Sequence, residues 1–260
     1  MLEVIDKGSS TESHPVPLLF VHGACHAAWC WDEHFLDFFA DQGYRALALN
    51  LRGHGASPTS KPLNKCTIAD YVEDLTSAVG KLPTLPVLIG HSMGGFVVQK
   101  FLESSEVPAA VLMSSVPPRT WFRRTLPMTP RHPWLALKMN VTRNPLAAYP
   151  SAASVRENFF CKHTPQDVVD DCFSRLADES FQALFNDMSF RRVRPERVTT
   201  PLLVLEAEEV SWGPKMALDI AGAYGVDVEF FPKMGHNMML EPGWQSVAAR
   251  IDSWLGGQGV

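Results

Sequence analysis

The amino-acid sequence predicts an α/β fold with a mostly parallel sheet. Three observations carry that expectation. Short apolar runs alternate with stripes of helical spacing, small-residue turns follow several of the runs, and the alternation is interrupted only once. The runs are PLLFV (17–21), YRALALN (44–50), LPVLIG (85–90), AAVLMSS (109–115), PLLVLEA (201–207) and VDVEFF (226–231). Near-continuous apolar runs of this length, without a polar face, fit strands buried on both sides.

The N-terminal stretch, MLEVIDKGSSTESHPVP, is polar and acidic and lacks the basic and apolar halves of a signal peptide. After the second run, Thr67 precedes Ile68, Tyr71, Val72, Leu75 and Val79, with Asp70 at the capping-box position, so a helix starts there. The last helix carries Trp244, Val247, Ala248, Ile251, Trp254 and Leu255, with Gly256 and Gly257 expected to stop it. Prolines punctuate residues 117–150, where no strand is legible. Two amphipathic helices follow. One begins at Thr164 and Pro165, has Asp167 at its box position and buries Val168, Val169, Cys172, Phe173 and Leu176; the other carries Phe181, Leu184, Phe185 and Met188. Residues 1–116 and 198–260 therefore form the expected core, and residues 117–197 an insertion covering one end of the sheet.

With 260 residues, 46% of them hydrophobic, the chain can fill one sizeable core. A net charge of -5 gives no reason to expect a nucleic-acid partner, so a small-molecule substrate is the default. The insertion has 13 Lys and Arg against 8 Asp and Glu, which reads first as a solvated basic face. No apolar run approaches the roughly 18 residues that cross a bilayer. The five cysteines are odd in number and scattered, which suits reduced thiols and a cytoplasmic protein. His22 and His26 with Cys25 and Cys30 match no common zinc spacing, so no metal is expected. Oligomeric state is not legible.

The chemistry is signalled by GHSMGG, residues 90–95, between an apolar run and a helical pattern. This is the G-x-S-x-G nucleophile elbow in strand, turn, helix context. It raises the Ser92 hydroxyl above the sheet edge and offers the Met93 backbone N–H to the oxygen of an attacked carbonyl. A second donor, the Ala24 N–H, is expected from the turn in FVHGACHAAWCW (20–31), where Gly23 permits a tight bend. A serine hydroxyl needs a base, and His236 in FPKMGHNMMLEP lies between the last strand and the last helix. His54, in LRGHGASP, is expected to shape a turn.

Taken in order, HGA, NLRGHGAS, GHSMGG and MGHNMMLEP resemble the landmarks of the α/β-hydrolase superfamily over nearly the whole chain. HGACHAAWCW is also similar to the opening of the plant methyl esterase and hydroxynitrile lyase group, as far as about residue 35. The resemblance implies an eight-stranded, mostly parallel sheet, a helical cap between strands six and seven, no cofactor, and the chain order Ser, acid, His. It also places an Asp about nine residues after the proline that opens strand seven. Counted from Pro201, that position is Val210, which can neither accept the imidazole N–H nor stabilise imidazolium. Three readings stay open: Glu209 reaches the histidine, Glu208 or Glu206 does, or no residue supplies the acid.

The expected activity is cleavage of a carboxylic ester or lactone of a small, largely apolar substrate through an acyl-enzyme. Met93, Trp212, Met238 and Met239 are candidates to line an apolar pocket, and Trp121, Phe122 and Trp134 to set substrate choice. The alternatives are a same-fold lyase or cofactor-free oxygenase using His236 as base, and a ligand-binding pseudo-hydrolase whose triad is disabled.

Overall fold

The structure, a computed structural model, describes residues 1–119, 133–210 and 213–260, without the side chains of residues 133, 135–137 and 140. Six strands form where the apolar runs predict them: β2 (Leu18–Val21), β3 (Ala46–Leu49), β4 (Val87–His91), β5 (Ala110–Met113), β6 (Leu202–Ala207) and β7 (Val228–Phe231). The seventh, β1 (Val4–Lys7), pairs antiparallel with β3, and its half-buried four residues carry too short a pattern to be read in advance. The order is β1-β3-β2-β4-β5-β6-β7, with every pair but the first parallel. The sheet thus has seven strands among the described residues, not eight. Residues 8–17, GSSTESHPVP, hold two prolines and no alternation, so no further strand forms between β1 and β2.

Side chains alternate across the pleat and divide the core in two. Leu18 and Phe20 face Trp31, Phe35 and Phe39, the last two on α2 (Phe35–Asp41) after the single turn α1 (Trp29–Asp32), and the same layer takes Val247 and Ile251 of the last helix. Leu19 and Val21 face Tyr71 and Leu75 of α3 (Ile68–Val79) and Phe96 and Val97 of α4 (Met93–Leu102). The capping box at Thr67 and Asp70 is present, with both backbone N–H groups satisfied.

Between β5 and β6 lie α5 (Pro133–Thr142), α6 (Ala152–Phe159), α7 (Gln166–Arg175), a π-helical turn (Gln182–Asp187) and the short α8 (Met188–Phe190). Here the structure departs from the sequence pattern in two places. Thr164 does not cap α7; its hydroxyl donates to Glu241, and Phe173 is 37% exposed instead of buried. The π turn swings Asp187 so that its carboxylate accepts the Ile68 N–H at 3.0 Å, which caps α3 from the insertion. After β6 come α9 (Gly213–Tyr224) and, after β7, α10 (Trp244–Gln258). The last helix runs through Gly256 and Gly257 and ends at Gly259, whose φ of 74° supplies the left-handed stop. Among the described residues no helix is long and apolar enough to cross a membrane.

Candidate active site

Ser92 joins β4 to α4 with φ 52° and ψ -118°, a left-handed backbone that costs a non-glycine residue about 1–2 kcal/mol. Its neighbours hold it there. The Ser92 N–H donates to Met113 O at 3.1 Å, and Ser92 O accepts from Phe96 N–H at 3.3 Å and Val116 N–H at 3.2 Å. The glycines are required by close approach. A Cβ at Gly90 would lie 2.6 Å from Gly95 Cα, and one at Gly94 would strike the carbonyl oxygens of Val21 and His22. Met93, the first residue of α4, has an N–H with no intrahelical acceptor.

Gly23 brings the turn after β2 against the elbow: a Cβ there would be 2.8 Å from His91 Nδ1 and 3.0 Å from Ser92 Cβ. The peptide groups of this turn are almost all occupied. His22 Nδ1–H donates to Gly23 O at 2.9 Å while His22 Nε2 accepts from Leu51 N–H, and His26 Nδ1–H donates to Ala24 O at 2.8 Å. Cys25, itself left-handed at φ 62°, donates its N–H to Glu179 Oε2 at 3.3 Å and accepts at its carbonyl from Ala177 N–H at 3.0 Å. The Ala24 N–H has no hydrogen bond among the described residues. Burial and neighbouring charge push His22 to about 3 and His26 to about 4, so both rings are neutral. Their nitrogens hold backbone and Asn237, and among the described residues no group of three His, Cys, Asp or Glu is arranged around a metal.

The loop after β7 carries His236. His91 Nε2–H donates to His236 O at 3.0 Å, and the two rings lie 4.6 Å apart, which sets the His236 loop beside the elbow. On its other side the His236 ring faces Phe159 of α6 at 6.0 Å. Burial, and then the nearby His26 ring, push His236 down to about 3. Two features fix this loop to the insertion. Asn237 N–H donates to Phe159 O at 2.8 Å, and the fully buried Glu241 accepts from Gly235 N–H at 2.8 Å and Cys161 N–H at 2.6 Å.

The backbone after β6 is zipped to the same loop: Glu208 N–H donates to Phe231 O and Glu209 N–H to Met234 O, both at 3.0 Å. The side chains point elsewhere. Val210 is buried in the core with Met234, Met238 and Met239. Glu208 and Glu209 are exposed, and neither carboxylate bonds to His236. Glu206 lies on the opposite face of β6, where Oε1 accepts from Ser114 Oγ–H at 2.8 Å and Ala207 N–H at 3.0 Å, and burial raises its carboxyl to about 7. The structure therefore brings the Ser92 elbow, the Ala24 turn and the His236 loop together and does not bring Glu209 to them.

His54 does more than shape its turn. Both ring nitrogens face acceptors, Arg52 O at 3.2 Å and Glu179 Oε2 at 3.1 Å, an arrangement that favours the protonated ring. Burial opposes that charge, but Glu179 outweighs it and raises His54 above its usual value. Sequence reasoning missed Glu179, Glu241 and His91. His91 was visible inside the elbow motif; nothing in the local sequence marks either glutamate as buried.

The insertion leaves a cleft of about 440 Å³ lined by Lys138, Asn144, Leu146, Tyr149, Phe173 and Leu176. Tyr149 packs tilted against Phe159 with ring centroids 4.7 Å apart, and the Phe159 ring in turn faces His236. Trp134 is exposed, while Trp121, Phe122 and Trp212 lie outside the described residues. Met93, Met238 and Met239 are fully buried.

Comparison with known proteins agrees with this architecture. The sequence profile of the alpha/beta hydrolase family matches residues 18–249. Among relatives, the chain is 37% identical over 79 residues to Methylesterase 18 of Arabidopsis thaliana, covering 30% of this chain and 29% of that one. It is 34% identical over 134 residues to Esterase PIR7B of Oryza sativa subsp. japonica (46% and 48%), and 37% identical over 107 residues to a non-heme chloroperoxidase of Streptomyces lividans (40% and 38%). Each alignment thus spans less than half of the relative's length. In three dimensions the chain is similar to a putative non-heme bromoperoxidase, BpoC, of Mycobacterium tuberculosis H37Rv, with TM-score 0.77, 21% identity and coverage of 99% and 96%. It is equally similar to a thermophilic esterase from Thermogutta terrifontis, with TM-score 0.78, 18% identity and coverage of 100% and 94%. With a profile match over most of its length and the strand order and elbow described above, the chain belongs to the alpha/beta hydrolase family.

Proposed function

We propose that the protein is a serine hydrolase that cleaves a carboxylic ester or lactone of a small, largely apolar substrate through an acyl-enzyme. The observation that carries the reading is the pair of backbone donors, Ala24 N–H and Met93 N–H, left without acceptors on either side of a strained Ser92. In this reading Ser92 Oγ attacks the acyl carbon and His236 takes its proton. The two N–H groups hold the oxyanion, and His236 returns the proton to the departing alcohol. Water then attacks the acyl-enzyme by the same steps in reverse, with no cofactor. The cleft beside Tyr149 is proposed to receive the substrate's apolar part. Esterases among the partial relatives support the reaction class, and none fixes a substrate for this chain.

For the acid, the exposed side chain of Glu209 and the buried Val210 at the usual acid position favour the reading in which neither Glu208 nor Glu209 supplies it. Loss of the triad acid costs roughly 10⁴ in kcat in serine proteases and leaves residual catalysis, so a slow hydrolase is expected. The depressed His236 favours the pseudo-hydrolase as second reading. A same-fold lyase or oxygenase would use the same base without an acyl-enzyme.

The test is intact-mass detection of a fluorophosphonate adduct, with turnover of short p-nitrophenyl esters measured alongside. An adduct on the native chain that is absent from Ser92→Ala supports the hydrolase, and equal labelling of Glu209→Gln supports the reading in which Glu209 does not supply the acid. No adduct and no turnover would overturn it in favour of the pseudo-hydrolase.

A further inference from the structure

The turn that offers the Ala24 N–H does not hold itself. Cys25 sits at φ 62° with a Cβ, a conformation that persists only where its surroundings impose it. Both of its backbone groups are bonded to the insertion, the N–H to Glu179 Oε2 and the carbonyl to Ala177 N–H. Glu179 is 2% exposed and is itself fixed by three further donors: His54 Nε2–H at 3.1 Å on Oε2, and Tyr71 Oη–H at 2.7 Å and Ser180 N–H at 2.5 Å on Oε1. Four donors on one buried carboxylate make a rigid acceptor.

We propose that Glu179 is a positioning residue for the oxyanion turn: by holding the Cys25 N–H it keeps Cys25 left-handed and so aims the preceding Ala24 N–H at Ser92. The inference rests on the hydrolase reading for its effect on rate, but not for its effect on the turn. Glu179→Gln is the informative change. Its amide has one acceptor and one donor end, so whichever way it lies, either the Cys25 N–H or the Ser180 N–H faces another donor. The turn then relaxes, and an oxyanion donor displaced by a fraction of an ångström loses most of its transition-state benefit.

The experiment compares native protein, Glu179→Gln and Asp187→Asn. Asp187 is a second buried carboxylate tying the insertion to the core, at Ile68, and it does not touch the oxyanion turn. Glu179→Gln is expected to lower kcat for p-nitrophenyl acetate by roughly tenfold to a hundredfold with KM within about threefold. It is also expected to speed hydrogen exchange in residues 22–28, while Asp187→Asn changes neither. If Glu179→Gln folds with native kcat and native exchange in that segment, the proposal is overturned. If it does not fold, Tyr71→Phe, which only frees the Oε1 end, is expected to lower kcat several-fold without moving KM, and an unchanged kcat overturns the proposal. If the native protein neither labels nor turns over, the hydrolase reading fails alone, and exchange in residues 22–28 still decides whether Glu179 holds the turn.

Discussion

If the hydrolase reading holds, Val210→Asp should raise turnover. The position is already built for an acid: its backbone neighbours, Glu208 and Glu209, are hydrogen-bonded to the loop that carries His236, and its side chain faces inward. A carboxylate there would raise His236 from about 3 toward its ordinary 6.5, a gap of roughly 5 kcal/mol at 1.36 kcal/mol per tenfold. If about half of that basicity is expressed in the transition state, kcat rises by roughly 10²-fold, below the ~10⁴ ceiling known from triads. The acid limb of the pH–rate profile should climb from below pH 4 toward pH 6, because the base must be neutral to act and its neutral form now requires higher pH. Replacing a buried Val with Asp among Met234, Met238 and Met239 costs about 2 kcal/mol of apolar burial, enough to lower Tm by roughly 4–8 °C. The assay is initial rates on p-nitrophenyl acetate from pH 4 to 9, with thermal melts and with Val210→Asn, which orients the ring without charging it, as control. A Val210→Asp protein that melts cooperatively yet shows native kcat and a native acid limb would refute the argument that a carboxylate at position 210 acts on His236.

Gly235→Ala drives a Cβ into the backbone of Phe160 and Cys161, so it should cost at least 3 kcal/mol and disable turnover, whereas Gly222→Ala, with open space around it, should stabilise α9 by up to about 1 kcal/mol; urea titrations compare the two. His22, His26 and His236 are depressed in the fold to about 3, 4 and 3, so the stability they carry is full above pH 6.5 and is lost as pH falls toward those values. Unfolding free energy should therefore drop by up to about 4 kcal/mol per pH unit below 6.5, and a flat urea midpoint between pH 7 and 5 would contradict their burial as neutral rings. His54 has the opposite sign: its raised value means that its contribution is complete below pH 6.5 and lost as pH rises, so the penalty for His54→Gln should be larger at pH 6 than at pH 9.

The insertion is joined to the core by buried carboxylates on both sides. Glu179 and Asp187 reach from it to the turn at Cys25 and to the start of α3, and Glu241 reaches into it from beside the His236 loop. Each carboxylate satisfies backbone N–H groups that would otherwise be buried without partners, so prying the segments apart leaves unpaired donors and an unpaired charge. These bonds hold the insertion in register with the groups that would stabilise an oxyanion and move a proton.

The sequence by itself determined the alternation of strand and helix, because apolar runs and helical stripes are local patterns that the parallel sheet leaves intact. It also determined the elbow: Gly90, Ser92 and Gly94 are adjacent in the chain, and the steric need for small residues there is local. What only the tertiary structure decided were relationships across long separations. Strand β1 is too short to carry a period and takes its place by pairing with β3. Glu179 lies 154 residues from Cys25 and Glu241 lies 80 from Cys161, and no local pattern separates a buried glutamate that gathers N–H groups from an exposed one. The same holds for the acid of His236. Spacing pointed to Val210, one residue from Glu209, but the backbone of Glu208 and Glu209, zipped by hydrogen bonds to Phe231 and Met234, turns Val210 into the core and leaves Glu209 in solvent.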